Sequence, residues 1–319
     1  MTRRNLLVLS AAALGGLALS GCPITGGGTG GVGLKTKNLS GRTIRIAATI
    51  GMIGDTVKNI GGNRVEVTSL MGPGVDPHLY KATAGDVGTL EKADAIFYGG
   101  LELEGRMTDL FVKMARDKLT VPVASSIDES LLREPKEFQG KYDPHIWFDV
   151  TLWMKATEVI RDELAKLDPG SADLYKRNAE TYLAKLDELH NYTKTAIAKI
   201  PAGQRVLITA HDAFGYFGKQ YGMEVRGLQG TSTATEAGAG DVQRLAAYIA
   251  ERKIRAIFVE SSVPKATIEA VQKAVRSRGF NVVIGGQLYS DAMGPDGTPE
   301  GTYLGMVRHN VDTIVKALS

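Results

Sequence analysis

The chain has 319 residues, of which 43% are hydrophobic and 23% charged, and a formal net charge of +3; this composition supports a buried core, and the length favours two lobes over one. Arg3 and Arg4 supply two of the positive charges and sit in a segment that reads as removable, leaving about +1, too little for a nucleic-acid-binding face. The single cysteine, Cys22, rules out an intramolecular disulfide, so a metal site in the folded body must use nitrogen and oxygen donors.

Residues 1–21 read as an export signal, with Arg3-Arg4 as the charged region, Leu6 to Leu19 as the apolar stretch and Leu19-Ser20-Gly21-Cys22 as its close. The stretch is shorter than the ~20 apolar residues of a permanent span. Leu19-Ser20-Gly21-Cys22 resembles the lipobox of bacterial lipoproteins, which implies that Cys22 is acylated and anchors the mature chain. Thr2-Arg3-Arg4-Asn5-Leu6-Leu7 also resembles a twin-arginine export signal. Residues 22–40, with glycines from Gly26 to Gly33, read as a flexible tether.

An N-terminal α/β lobe is expected over 41–168. Strands are predicted at Thr43–Ala48, Arg64–Leu70, Ala95–Tyr98 and Val121–Ala124, with helices following Gly54 and Thr83. Strands alternating with helices predict a parallel sheet covered on both faces. A connecting segment follows over 169–200, where Tyr175, Ala179, Tyr182, Leu186 and Leu189 recur at helical spacing. One helix from Ser171 to Ile200 would extend ~45 Å, enough to run past both lobes, and its stiffness argues against wide closure motions. A second α/β lobe is expected over 201–319, with strands at Arg205–Thr209, Val225–Leu228, Ala256–Val259 and Val282–Gly285. The capping-box pattern Thr233-Ala234-Thr235-Glu236 is expected to start a helix running to about Arg252. The predicted fold is therefore α/β: two Rossmann-like lobes with parallel sheets, one long backbone helix between them and a ligand cleft where they face.

Only five histidines occur, and two follow the same dipeptide: Asp76-Pro77-His78 and Asp143-Pro144-His145. Proline fixes its own φ and restricts the residue before it, which helps to hold a following side chain in place. His211 ends the strand-like run Val206-Leu207-Ile208-Thr209-Ala210, and Asp291 follows the run Val282-Val283-Ile284-Gly285-Gly286 by a few residues. Strand ends in parallel sheets point into the crevice where ligands bind. Three imidazoles and a carboxylate suit Zn2+, and suit Mn2+ or Fe2+ if the carboxylate binds through both oxygens. Each histidine taken alone is also compatible with an ordinary hydrogen-bonded role, the role expected of His190 and His309. Glu260, at a strand end, is either a cleft hydrogen-bond acceptor or the base of a zinc hydrolase.

Gly72-Pro73-Gly74-Val75-Asp76-Pro77-His78-Leu79-Tyr80, Asp143-Pro144-His145-Ile146-Trp147, Ala210-His211-Asp212-Ala213-Phe214-Gly215-Tyr216-Phe217, Glu260-Ser261-Ser262-Val263-Pro264 and Leu288-Tyr289-Ser290-Asp291-Ala292-Met293-Gly294 together resemble the TroA-type metal-binding lipoproteins of zinc and manganese ABC importers. The resemblance covers the chain beyond the tether. It implies that His78, His145, His211 and Asp291 coordinate one divalent metal between the lobes. It also implies a monomeric, non-enzymatic receptor outside the cytoplasmic membrane, held by lipid, that serves an importer permease and its ATPase. Relatives with glutamate in place of His211 resemble manganese receptors, so His211 leaves zinc favoured. The long histidine-rich loop of some zinc-dedicated relatives is absent. Alternatives of other classes are a zinc-dependent hydrolase and a surface adhesin lipoprotein.

Overall fold

The computed structural model describes Leu39, residues 41–138 and residues 140–319. Cys22, the signal-like residues 1–21 and the tether up to residue 38 lie outside the described residues. In the N-terminal half, β1 (Ile44–Ala48), β2 (Val65–Ser69), β3 (Ala95–Tyr98) and β4 (Leu119–Pro122) form a parallel sheet in the order β2-β1-β3-β4. Helices α1 (Gly51–Gly61), α2 (Ala84–Lys92) and α3 (Thr108–Met114) are the crossovers. Thr83 starts α2 with a full capping box, accepting from the Asp86 amide while Asp86 accepts from the Thr83 amide. The ladder places β4 two residues earlier than the sequence pattern suggests, with the Val123 amide still donating to the Tyr98 carbonyl at 2.8 Å just past its end.

Two antiparallel helices follow. Asp149 caps α4 (Val150–Leu167) by accepting from the Thr151 amide, and the turn Asp168-Pro169-Gly170-Ser171 leads into α5 (Ala172–Ile197), whose 26 residues extend ~39 Å. One edge of α5 packs on α1 and another on α9 (Tyr303–Leu318), so a single rod touches both halves of the chain.

The C-terminal half contains β5 (Val206–His211), β6 (Glu224–Gln229), β7 (Ala256–Glu260) and β8 (Val283–Leu288), joined through α6 (Gly215–Tyr221), α7 (Ala239–Arg252) and α8 (Lys265–Arg276). Here β5–β6 and β7–β8 are separate parallel ladders that abut along β5 and β7, giving the spatial order β6-β5-β7-β8. That is the N-terminal order repeated, so each half has its switch point between its first and third strands. A register shift at Ile257/Phe258 accompanies the break from one continuous sheet.

Helix α7 does not begin where the Thr233-to-Glu236 pattern predicts. The Thr233 hydroxyl instead donates to Asp76 Oδ2 at 2.6 Å, a partner 157 residues away, and the cap forms at Gly238, whose amide donates to Asp241 Oδ2 at 2.8 Å. The threonine side chain is engaged by a distant carboxylate, and no local cap forms on it.

Side-chain alternation decides which residues face the cleft. Val206, Ile208 and Ala210 of β5, with Ile257 and Val259 of β7, pack under α7 and α8 in one apolar core. Leu207, Ala256 and Phe258 point the other way, into a larger core that runs without interruption from β1 and β3 through α1, α4 and α5 to α9. His211 and Glu260 share this second parity. Tyr303 secures the junction: its ring stacks on Trp153 at 5.3 Å, its hydroxyl donates to the Trp147 carbonyl at 2.7 Å, and its amide donates to Asp55 at 3.0 Å.

Arg64 fixes the α4–α5 corner to the sheet, with Nε donating to Asp168 Oδ2 at 2.7 Å, an oxygen that also accepts from Tyr175 at 2.9 Å. The guanidinium holds the Asp168 carboxyl below its usual range. A depressed carboxylate pKa contributes stability above the unfolded value of about 3.9 and loses it as pH falls through the folded value. Arg64→Ala is therefore expected to cost about 1.5–3 kcal/mol at neutral pH, and urea unfolding should show the gap to wild type narrowing below about pH 4.

Candidate metal centre

The two Asp-Pro-His copies use one backbone device. In each, the aspartate Oδ1 accepts the amide of the histidine two residues on, at 2.9 Å for Asp76–His78 and 3.0 Å for Asp143–His145. The turn is thus closed by its own side chain around a rigid proline, and the imidazole leaves it in a set direction. The copies differ in what the aspartate does next. Asp143 Oδ1 also takes His145 Nδ1 at 2.8 Å, whereas the second oxygen of Asp76 is occupied by Thr233. His211 is the last residue of β5, its amide donating to Glu260 Oε1 at 2.8 Å, and its Nδ1 lies 2.6 Å from Glu260 Oε2. Asp291 follows β8 in a buried segment held by Trp147 Nε1, which donates to the Ser290 carbonyl at 3.1 Å.

These four side chains, from four separate segments, converge. One donor atom from each of His78, His145, His211 and Asp291 lies within 4.8 Å of all the others, and all four residues are buried. His145 Nε2 and His211 Nε2 are each 3.3 Å from an Asp291 oxygen, His78 Nε2 is 4.0 Å from one, and His78 Nε2 is 3.3 Å from His145 Nε2. Ser262 Oγ lies 3.4 Å from Asp291 Oδ2 and 2.8 Å from Ser290 Oγ. The other two histidines lie elsewhere, His190 beside Tyr221 and His309 beside the Gln287 carbonyl.

Burial makes the cluster electrostatically uneven. It alone would lower every imidazole pKa, and in His78 it prevails, with help from the neighbouring His145 and His211, bringing the group down to about 3. His145 is buried as deeply, yet the adjacent carboxylates of Asp143 and Asp291 overcome the burial and raise it to about 9. In His211 burial is likewise opposed and outweighed, by Glu260 and Asp291, and the imidazole rises well above its ordinary value. Burial would raise Asp291, but His211 and His145 drive it well below the usual carboxylate range. Protons and a divalent cation compete for the same nitrogens.

The donor set fits a metal ion. His211 Nε2 and Asp291 Oδ1 are buried with no hydrogen-bond partner although they face each other's neighbourhood, as atoms aimed at a common point would. Asp143, an acceptor only, fixes the proton on His145 Nδ1 and leaves the Nε2 lone pair for a cation, the outer arrangement typical of ligating imidazoles; Glu260 Oε2 stands in the corresponding place, 2.6 Å from His211 Nδ1, as an ion-pair contact outside hydrogen-bond geometry. Three nitrogens and one carboxylate match a four-coordinate zinc site, or a manganese site if both Asp291 oxygens bind. The part played by Asp143 was hidden in the sequence, although its place in a repeated tripeptide marked it; Ser262 carried no signal of its own.

Fold and cluster together define a two-lobed binding protein with a metal-type donor set at the C-terminal strand ends. Residues 46–317 match the family described as "Zinc-uptake complex component A periplasmic", ZnuA, and the chain belongs to this family. It is 50% identical to the zinc-binding protein TroA of Treponema pallidum, over 92% of this chain and 94% of that one. It is 48% identical to the manganese-binding lipoprotein MntA of Bacillus subtilis, over 92% and 95% of the respective chains. Its fold superposes on the solved periplasmic zinc-binding TroA of Treponema pallidum with a TM-score of 0.85 at 51% identity, covering 87% of this chain and 100% of that one.

The Glu260 contacts generate a sharp expectation. A glutamine there can satisfy the His211 amide or the His211 Nδ1–H, but not both, because one end of the amide is a donor. Glu260→Gln should thus weaken metal binding about 10- to 100-fold, measured by competitive chelator titration, with little change in overall helix content by circular dichroism.

Proposed function

We propose that this chain is an extracytoplasmic, high-affinity receptor for one divalent metal ion, which it delivers to the permease and ATPase of an ABC importer. The observation that carries this reading is the buried cluster of three imidazoles and one carboxylate within 4.8 Å, in a chain whose relatives are a zinc-binding protein and manganese-binding lipoproteins. His78, His145 and His211 would each give Nε2, and Asp291 one or both oxygens, to an ion that is cargo. By donor type Zn2+ ranks first, Mn2+ second and Fe2+ third.

Residues 41–168 and 201–319 serve as the two lobes and 169–200 as the connecting segment. Cys22 carries the lipid that keeps a monomeric receptor on the outer face of the cytoplasmic membrane, with residues 22–40 as the tether. Among the described residues no helix is long and apolar enough to cross a membrane. The hydrolase alternative needs a free base beside an open coordination position, and both Glu260 oxygens are turned to His211, which supports a non-enzymatic role. Among the described residues no contact favours the adhesin alternative.

Elemental analysis should find one metal per chain. His78→Ala, His145→Ala, His211→Ala or Asp291→Ala should each weaken zinc by at least about 100-fold, beyond the loss of an outer hydrogen-bond partner, while His190→Ala and His309→Ala bind as wild type. Zinc binding of full strength after any of the first four changes removes that residue from the centre. Separately, Cys22→Ala should move the protein from the membrane fraction to the soluble fraction or stall its maturation, because a glycine-rich peptide has no other affinity for a bilayer.

A further inference from the structure

Arg133 lies in the loop between β4 and α4, its side chain about a quarter exposed. One prong of its guanidinium pairs closely with Oδ2 of the fully buried Asp143. The other oxygen of that carboxylate takes both the amide and Nδ1 of His145. The second prong, Nη2, is 3.5 Å from Oδ2 of Asp212, the residue directly after His211. The backbone is fixed as well: the Arg133 amide donates to the Tyr216 hydroxyl at 3.0 Å, that hydroxyl donates to the Asp143 carbonyl at 2.9 Å, and the guanidinium sits 5.7 Å from the Tyr216 ring centre. A Cβ at Gly215 would overlap the guanidinium. The start of α6 therefore has to be glycine for the arginine to occupy this place.

We propose that Arg133 is a positioning residue of the metal centre, one guanidinium that holds the segments carrying His145 and His211 in mutual register through Asp143 and Asp212. This rests on the metal-receptor reading above. With Oδ2 held by a charged, planar donor, Asp143 presents Oδ1 to His145 in one orientation, so the ring keeps Nδ1 protonated and its Nε2 lone pair on the cation. Asp212 comes from the other half of the chain, and the same fork reaches it. A lysine, a single point charge on a flexible stem, could serve one of the two carboxylates but not both. An arginine that merely pinned its loop to α6 would affect stability and leave the geometry at the ion unchanged.

Cobalt(II), whose visible absorption reports the geometry of its donors, separates the two roles when titrated into the full-length mature protein alongside zinc competition. Arg133→Met should lower zinc affinity about 10- to 100-fold and shift the cobalt bands. Arg133→Lys should recover part of the affinity, and Gly215→Ala should reproduce the shifted bands with the arginine still present but displaced. Wild-type cobalt bands and zinc affinity in Arg133→Met, even with a lowered melting temperature, would overturn the proposal. If Arg133→Met fails to fold, Arg133→Lys decides: bands and affinity identical to wild type overturn the two-carboxylate role. His145→Ala is measured in parallel. Unaltered bands in that variant would overturn the metal-centre reading itself, an outcome distinct from failure of the Arg133 role alone.

Discussion

One donor atom from each of three imidazoles and a carboxylate meets the others within 4.8 Å, all four residues being buried, and a carboxylate buried alone in such a place would be strongly destabilising. The surrounding structure answers that constraint. Asp291 is stabilised by the imidazoles around it, two of those imidazoles are stabilised by Asp143 and Glu260 behind them, and Arg133 stabilises Asp143 in turn. Charge alternates outward from the centre until it reaches solvent. The parallel sheets make this possible because their C-terminal ends release chain segments toward one point, and strand parity turns His211 and Glu260 to the same side.

The ligands are not held equally. His145 and His211 each have a carboxylate at the second ring nitrogen, but among the described residues no carboxylate other than Asp291 lies within 4.0 Å of a His78 ring nitrogen. His78 also sits in a loop, tied across the cleft through Asp76 and the Thr233 hydroxyl. Wide swinging of the halves is opposed by the core beneath, where α1, α4, α5 and α9 are packed as one body and Tyr303 is bonded to both Asp55 and Trp147.

Much of this was legible because it is local. Period-two runs marked the strands, and His211 could be placed at the end of β5 because the apolar run stopped there. The repeated Asp-Pro-His marked two imidazoles, since a turn closed by its own aspartate is written in three consecutive residues. What could not be read depended on partners distant in the chain. Thr233 and Glu236 have the spacing of a capping box, but nothing nearby reveals that Asp76 would claim the threonine hydroxyl. Glu260 could be placed at a strand end, but only its distance to His211 separates an acceptor from a base. The pairing of Arg133 with Gly215 depends on the approach of α6 to a loop in the other half of the chain, which no periodicity encodes.

The amide of Tyr303 and the carboxylate of Asp55 meet across 248 residues of sequence, and the fourth donor, Asp291, lies close to the C-terminal end of the 319 residues. A polypeptide emerging from its N-terminus cannot complete the site until Asp291 has been made, and contacts of such long sequence separation form slowly. Until then the chain offers a cation only imidazoles from separate segments.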